Sequence, residues 1–286
     1  MPLKIKKKYY YKKDQTAIYT VQMLTTGVQM KKLINWELFG ILLGASIFSI
    51  IAIIPYVLTL QANLLSKLPI PLHTLLFLQI LQNVILFSIF IFVGLYLAKR
   101  VGLGMPILES WLEGKEAKTY LKSILGISIG LGVLVGVLLI GIDFLFSVFT
   151  KPITVVQIIL PPPPIWQGFL ACFYGGICEE VAMRLFFMTW LVWIFYKIKK
   201  TREGKPTNLD VWLAIIISAI LSGLGHLPIT SVLIPITPLI VVRAIILNAP
   251  AGIIFGWLYW KKGLESAMIS HFSADIILHV VFPLFI

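Results

Sequence analysis

Two adjacent glutamates followed by an arginine form the densest group of ionisable residues in an otherwise apolar part of the chain. Glu179 and Glu180 are neighbours, and Arg184 follows Glu180 by four residues. In a helix, residues i and i+4 share a face, whereas neighbours differ by about 100°. The spacing therefore predicts that Glu180 pairs with Arg184 and that Glu179 points elsewhere. A carboxylate of this kind, placed beside a water molecule, can act as a general base.

Histidines occur in two further segments that could contribute to the same chemistry. His226 ends the sequence Ser222–His226, whose two glycines let another backbone or a substrate approach the imidazole. His271 and Asp275 are spaced i,i+4 and share a helical face. An imidazole and a carboxylate so placed can bind a metal, bind a water or hydrogen-bond to each other. His279, four residues further on, drifts from that face, and we expect it to be a bystander.

The elements that carry these residues are expected to span a membrane. Hydrophobic residues make up 59% of the 286 residues and charged residues 13%, against about 25% charged residues in soluble domains. This composition excludes a soluble globule, a disordered chain and a disulfide-rich secreted module. At about 20 apolar residues per crossing, the sequence predicts an all-α polytopic transmembrane bundle of about seven to eight helices with a polar intramembrane site. The predicted spans are 36–60, 70–98, 119–148, 165–196, 209–227, 232–260 and 264–285.

The third predicted span is rich in glycine. Small residues at helical spacing allow two membrane helices to approach closely. We therefore expect this span to pack tightly against a neighbour. Its glycines are Gly126, Gly130, Gly132, Gly136 and Gly141.

Basic residues indicate the orientation of the chain. Eighteen lysines and arginines precede the first span or lie in the second and fourth loops, against two in the first and third loops. By the positive-inside rule the N-terminus is cytoplasmic. The net charge of +12 then orients the chain, and no nucleic-acid motif accompanies it. We expect a multi-pass protein of the cell membrane, in contact with the lipid bilayer, with a basic cytoplasmic segment 1–35, N-terminal helices 36–160 and a helical core 161–286.

The run 232–260 allows two topologies. It contains Asn248–Gly252, where a proline removes a backbone donor, so the run either crosses once or returns as a broken hairpin. A single crossing places the lysine pair at its end inside, as the charge rule prefers, but separates His226 and His271 by about 20 Å along the membrane normal. Because a shared site requires both histidines at similar depth, the hairpin is the predicted topology if the site is catalytic.

Taken together, the three motifs resemble those of the CPBP family of intramembrane proteases, whose best-known members are the CAAX prenyl proteases. The resemblance rests on EExxxR beginning at Glu179, GxGH ending at His226 and HxxxD beginning at His271. It covers roughly residues 160–286, and the preceding helices match only in being hydrophobic.

The resemblance implies a role for each motif. Glu179 and His226 would activate the attacking water, while Glu180 and Arg184 would hold the first motif in place. His271 would stabilise the tetrahedral oxyanion, as preorganised donors do in acyl transfer.

Two positions depart from the family pattern. Ser222 stands where the second motif usually has phenylalanine, and Asp275 stands where many members have asparagine. An ionised aspartate cannot donate to an oxyanion as an amide can, so Asp275 is protonated, orients His271 or belongs to a metal site. Our first expectation is a glutamate-activated water with no required metal. A divalent metal such as zinc would have Glu179, His226, His271 and Asp275 as candidate ligands.

The function implied by the resemblance is that of an intramembrane endopeptidase acting on a peptide or protein. CAAX-type processing of prenylated proteins and bacteriocin-related self-immunity are the uses known in the family. Two other classes fit the same residues. A transporter also has ionisable groups and broken helices within the membrane, although it predicts internal repeats that the sequence lacks, and a non-catalytic scaffold would use the polar cluster to fix the bundle.

Overall fold

A computed structural model describes residues 34–66, 69–149 and 163–285. Within these ranges the secondary structure is helical, without strands. Seven helical segments of the described chain are long and apolar enough to cross a membrane, which confirms the predicted all-α transmembrane bundle. We number them spans 1 to 7: Trp36–Leu60, Leu72–Val101, Lys118–Val148, Ile165–Ile198, Asn208–Val232, Pro238–Lys262 and Leu264–Phe285.

Several spans are composed of more than one helix, and two short helices connect spans. Span 4 and span 7 each contain π-helical turns. The component helices are Trp36–Ala52, Ile54–Leu60, Ala62–Leu65, Leu72–Val101, Pro106–Leu112, Lys118–Phe149, Ile165–Phe173, Tyr174–Glu179, Val181–Met188, Thr189–Ile198, Asn208–Gly225, Leu227–Leu233, Pro238–Lys262, Leu264–Ile276, Ile277–Val281 and Phe282–Phe285.

Two features of the predicted domain organisation lie outside the described residues. The basic segment 1–35 is described only at Ile34 and Asn35, and the predicted boundary between residues 160 and 161 falls within 150–162. Trp36–Ile286 is one compact unit.

The outward faces of the spans are apolar. In span 2 only 11% of the most apolar stretch is buried inside the bundle, yet the mean hydropathy of this stretch is 2.3. Its outward side chains include Phe77, which is 64% exposed, and Ile85, which is 54% exposed. Lipid is the solvent in which so large an apolar surface is stable. The chain is therefore an integral membrane protein.

Successive spans cross the bundle in alternate directions. Spans 5 and 6, for example, are antiparallel, because Gly223 lies beside Ala244 and Gly252 lies beside Ala219. The alternation gathers twelve lysines and arginines of the described chain at one end, which we call the basic end. They are Lys99, Arg100, Lys115, Lys118, Lys122, Lys197, Lys199, Lys200, Arg202, Lys205, Lys261 and Lys262.

Span 6 shows that the predicted broken hairpin is wrong. Pro238–Lys262 is one continuous helix that contains Pro250, because neighbouring groups in a membrane bundle compensate for the backbone bond that proline removes. The hairpin was expected on the assumption that His226 and His271 share one depth. Both histidines instead line one elongated cavity, so a single crossing is compatible with a shared site.

Gly132 and Gly136 bring span 3 against span 7. A Cβ at position 132 would overlap the carbonyl oxygen of Ser270, and a Cβ at position 136 would lie 2.7 Å from Cβ of Ile277. The predicted close packing therefore applies to these two glycines. The other glycines of span 3 would meet nothing within 4 Å: Gly126, Gly130 and Gly141.

We expect Gly132→Ala to lower the unfolding temperature of the detergent-solubilised protein, because the added methyl group must displace the Ser270 carbonyl. Overpacking typically costs about 1–3 kcal/mol, whereas alanine favours a helix over glycine by about 1 kcal/mol. Gly130→Ala is the matched control, since it gains the helical preference without a clash. Equal shifts in the two variants would contradict the close approach of spans 3 and 7.

Candidate functional site

Glu180 is fully buried and binds two partners. Its Oε1 lies 2.9 Å from Nη1 of Arg184 and accepts a hydrogen bond of 2.7 Å from Nδ1 of His271. The exposed fractions of the Glu180 and Arg184 side chains are 0% and 2%. The spacing of Glu180 and Arg184 predicted their pairing, whereas nothing in the sequence indicated the bond to His271. Since His271 belongs to span 7, this network ties span 4 to span 7.

Span 4 presents both glutamates from an unusual stretch of helix. Tyr174–Glu179 and Val181–Met188 are π-helical, a conformation that is rare and frequently found at functional sites. The stretch ends at Thr189, whose hydroxyl donates to the Arg184 carbonyl at 3.0 Å and lies 2.9 Å from the hydroxyl of Tyr259. These bonds fix the end of the π-helical segment against span 6.

The ring of His271 is fixed by stacking and by one hydrogen bond. Phe255 stacks on it with a centroid distance of 4.8 Å and an interplanar angle of 25°. Nε2 lies 3.9 Å from Oε2 of Glu179 and 3.7 Å from Oδ1 of Asp275, and both distances exceed a hydrogen bond. Glu180, rather than Asp275, therefore supplies the hydrogen bond that orients the ring.

Gly175 lets spans 4 and 7 meet at this point. A Cβ at this position would overlap Oδ2 of Asp275 and would lie 3.1 Å from Nε2 of His271. Any side chain at position 175 would therefore occupy the space beside Nε2 of His271.

Glu179 differs from its neighbour in exposure. Its side chain is 27% exposed, and it lines a cavity of about 210 Å³. His226 lines the same cavity from the end of the helix Asn208–Gly225. Helical side chains tilt toward the N-terminus, so Glu179 on span 4 and His226 on the antiparallel span 5 reach toward each other. Among the described residues they form no direct ion pair.

The structure thus brings the sequence-predicted site residues together. Glu180 lies directly behind His271, to which it is hydrogen-bonded. The predicted residues that line the cavity itself are Glu179, Arg184, His226, His271 and Asp275.

Five more polar residues line the cavity, and sequence reasoning assigned none of them to the site. His279 was expected to be a bystander, and Ser222 was noted only as a departure from the family pattern. Scattered polar side chains in apolar spans are more typical of bonds between helices. The five residues are Tyr56, Tyr174, Ser222, Asn248 and His279.

The remaining charged pair within the spans lies outside the cavity lining. Arg243 of span 6 forms an ion pair with Asp143 of span 3. Arg243 therefore has a charged partner of its own and does not line the candidate site.

Among the residues that the structure describes, no three His, Cys, Asp or Glu side chains are arranged to hold a metal ion. The candidate ligands Glu179, His226, His271 and Asp275 do not form a preformed metal site here, and no step of the reaction proposed below passes through a metal.

Residues 161–277 match the family model described as Type II CAAX prenyl endopeptidase Rce1-like. The match confirms the resemblance predicted from the sequence and covers less than half of the chain. Comparisons with curated proteins and with solved structures gave no match. The matched range contains the six predicted site residues and excludes Tyr56 and His279.

We expect Glu180→Gln to destabilise the protein far more than Glu179→Gln. The first change leaves the buried Arg184 without its counter-charge, which typically costs about 3–5 kcal/mol. Glu179 is partly exposed, and no hydrogen bond within the described residues depends on it, so its variant should unfold close to the wild-type temperature. The measurement is the unfolding temperature in detergent.

A second substitution tests the cause of this effect. Adding Arg184→Leu to Glu180→Gln removes the unpaired charge and should recover part of the lost stability. Equal destabilisation by the two glutamine variants would contradict the assignment of Glu180 as the buried anchor.

Proposed function

We propose that the chain is an intramembrane endopeptidase in which Glu179 activates a water molecule for attack on a peptide bond. The observation that carries this proposal is the convergence of Glu179, His226 and His271 on one cavity among seven apolar spans. The Rce1-like match over residues 161–277 supports the class of reaction.

The proposed reaction uses Glu179 to move one proton. Its carboxylate accepts a proton from water as the water oxygen bonds to the carbonyl carbon. The same carboxyl group then gives that proton to the amide nitrogen as the C–N bond breaks. The products are a carboxylic acid and an amine. His226 of span 5 lines the same cavity.

His271 stabilises the negative charge that develops on the carbonyl oxygen. Its Nδ1 is bound to Glu180, so Nε2 is the nitrogen available to the substrate. In the doubly protonated ring both nitrogens donate, and Nε2–H then stabilises the oxyanion. Glu180 acts through His271 and is a positioning residue, while Arg184 balances its charge.

Two of the features that favoured a transporter are absent from the described residues. The helix break expected at Asn248–Gly252 is absent, because span 6 is continuous. Arg243 pairs with Asp143 and leaves no free cation there for a solute. A non-catalytic scaffold is distinguished from a protease by the activity test below.

We further propose that the basic end faces the cytoplasm of the cell membrane, with the N-terminus on the same side. The twelve basic residues at this end, set against none in the described loops at the other, support this orientation. Lys261 and Lys262 join the others because span 6 crosses once. The substrate class that we propose first is a prenylated peptide with a C-terminal CAAX sequence.

We expect the purified protein in detergent to cleave a farnesylated CAAX peptide. Glu179→Gln should lower the cleavage rate by at least about 100-fold, because a general base typically contributes 10²–10⁴-fold. Glu116→Gln, an exposed site at the basic end, is the matched control and should retain the wild-type rate. The measurement is product formation by mass spectrometry.

Two further arms separate the parts of this proposal. A strong chelator should leave the rate unchanged, and chelator-dependent loss would assign a metal to the site. The same peptide without farnesyl should be cleaved more slowly, and equal rates would remove prenyl recognition while retaining proteolysis. A wild-type rate in Glu179→Gln would contradict the mechanism, and folded wild-type protein that cleaves neither peptide would contradict the proposed substrate.

A further inference from the structure

Two layers of polar residues line the cavity at different depths. The first contains Glu179 and His271, which act in the proposed reaction, and Asp275 beside His271. The second layer takes no part in that reaction and consists of Tyr56, Ser222, Asn248 and His279.

Ser222 and Asn248 belong to the same level of the bundle. Spans 5 and 6 are antiparallel, and Gly252 packs directly on Ala219. Ser222 follows Ala219 by three residues, and Asn248 precedes Gly252 by four. With a rise of about 1.5 Å per residue, the two side chains start within about one residue of the same depth.

His279 and Tyr56 complete this level. Phe255 of span 6 stacks on His271 of span 7, and these spans are also antiparallel. Asn248 precedes Phe255 by seven residues and His279 follows His271 by eight, so Asn248 and His279 lie at matching depth. The hydroxyl of Tyr56 lies 3.4 Å from Nδ1 of His279, and the two rings pack edge to face at 5.6 Å.

The second layer has hydrogen-bonding capacity to offer a ligand. The hydroxyl of Ser222 has no hydrogen-bond partner in the part of the chain that the structure describes. Nδ2 of Asn248 donates to the Ala244 carbonyl at 2.8 Å, which leaves its second N–H and its side-chain oxygen. A hydroxyl and a carboxamide complement the N–H and C=O groups of a peptide backbone, which would otherwise be unsatisfied within an apolar bundle.

We propose that the second layer binds the substrate backbone about three to four residues from the scissile bond. Eight residues of span 7 separate His271 from His279, which corresponds to about 12 Å. An extended chain covers that distance in three to four residues at about 3.3–3.6 Å each. The proposal rests on the endopeptidase function proposed above. Because Tyr56 and His279 lie outside the range matched by the family model, half of this layer is assigned by the structure alone.

The test measures binding separately from cleavage. Fluorescence anisotropy measures the binding of a fluorescein-labelled, farnesylated CAAX peptide to Glu179→Gln protein. A series of peptides is compared, in which the backbone nitrogens within four residues of the scissile bond are methylated one at a time. Methylation at one position three or four residues away should weaken binding about 3- to 10-fold, the effect of one lost hydrogen bond. Ser222→Ala or Asn248→Ala should weaken binding of the unmodified peptide by a similar factor. In that variant, methylation at the sensitive position should cause no further loss of binding.

Matched controls keep the test specific to the layer. Leu221→Ala and Ile246→Ala alter outward residues of the same two spans, which are 37% and 41% exposed, and should leave peptide binding unchanged. In protein that retains Glu179, Asn248→Ala should raise KM and leave kcat unchanged, because the layer acts on binding.

The outcomes separate this proposal from the proposed function. One outcome is that the wild-type protein cleaves the peptide, while neither Ser222→Ala nor Asn248→Ala changes the effect of methylation on binding. That outcome would overturn the second layer and leave the proposed protease function intact. Coupled binding effects without cleavage would support the layer and overturn the reaction. Neither binding nor cleavage of the peptide would overturn the second layer and the proposed substrate together.

Discussion

A fully buried carboxylate in an apolar bundle is the constraint on which the rest of this structure depends. Glu180 is stable at zero exposure because Arg184 and His271 contact the same oxygen, at 2.9 and 2.7 Å. One partner belongs to span 4 and the other to span 7, so the network fixes both the separation and the rotation of these spans. Glycines make this proximity sterically feasible, since a Cβ at Gly168 or Gly175 would collide with span 7.

The same constraint gives two neighbouring glutamates different roles. Consecutive residues point about 100° apart, so once Glu180 faces its partners in the interior, Glu179 must face the cavity, where its side chain is 27% exposed. In the proposed mechanism, adjacent residues thereby serve stability and chemistry. His271 connects them, because one ring nitrogen is bound by Glu180 and the other faces Glu179 and Asp275.

The sequence predicted what depends on local pattern. The seven spans follow from apolar runs of the length that a bilayer requires, and the Glu180–Arg184 pair follows from helical spacing. Contacts between distant segments have no such signature: His271 is 91 residues from Glu180, and Tyr56 is 223 residues from His279. The hairpin prediction failed because it inferred packing from the assumption of one shared depth, whereas the cavity extends along two turns of span 7.

The central claim is that Glu179 handles a proton and never bonds to the substrate. The most direct measurement is a single turnover in H₂¹⁸O, followed by mass spectrometry of the product and of the enzyme segment that contains Glu179. The account predicts ¹⁸O in the new carboxylate of the product and none in Glu179. An unlabelled product together with ¹⁸O in Glu179 would contradict it, because that result requires a covalent acyl intermediate on the glutamate.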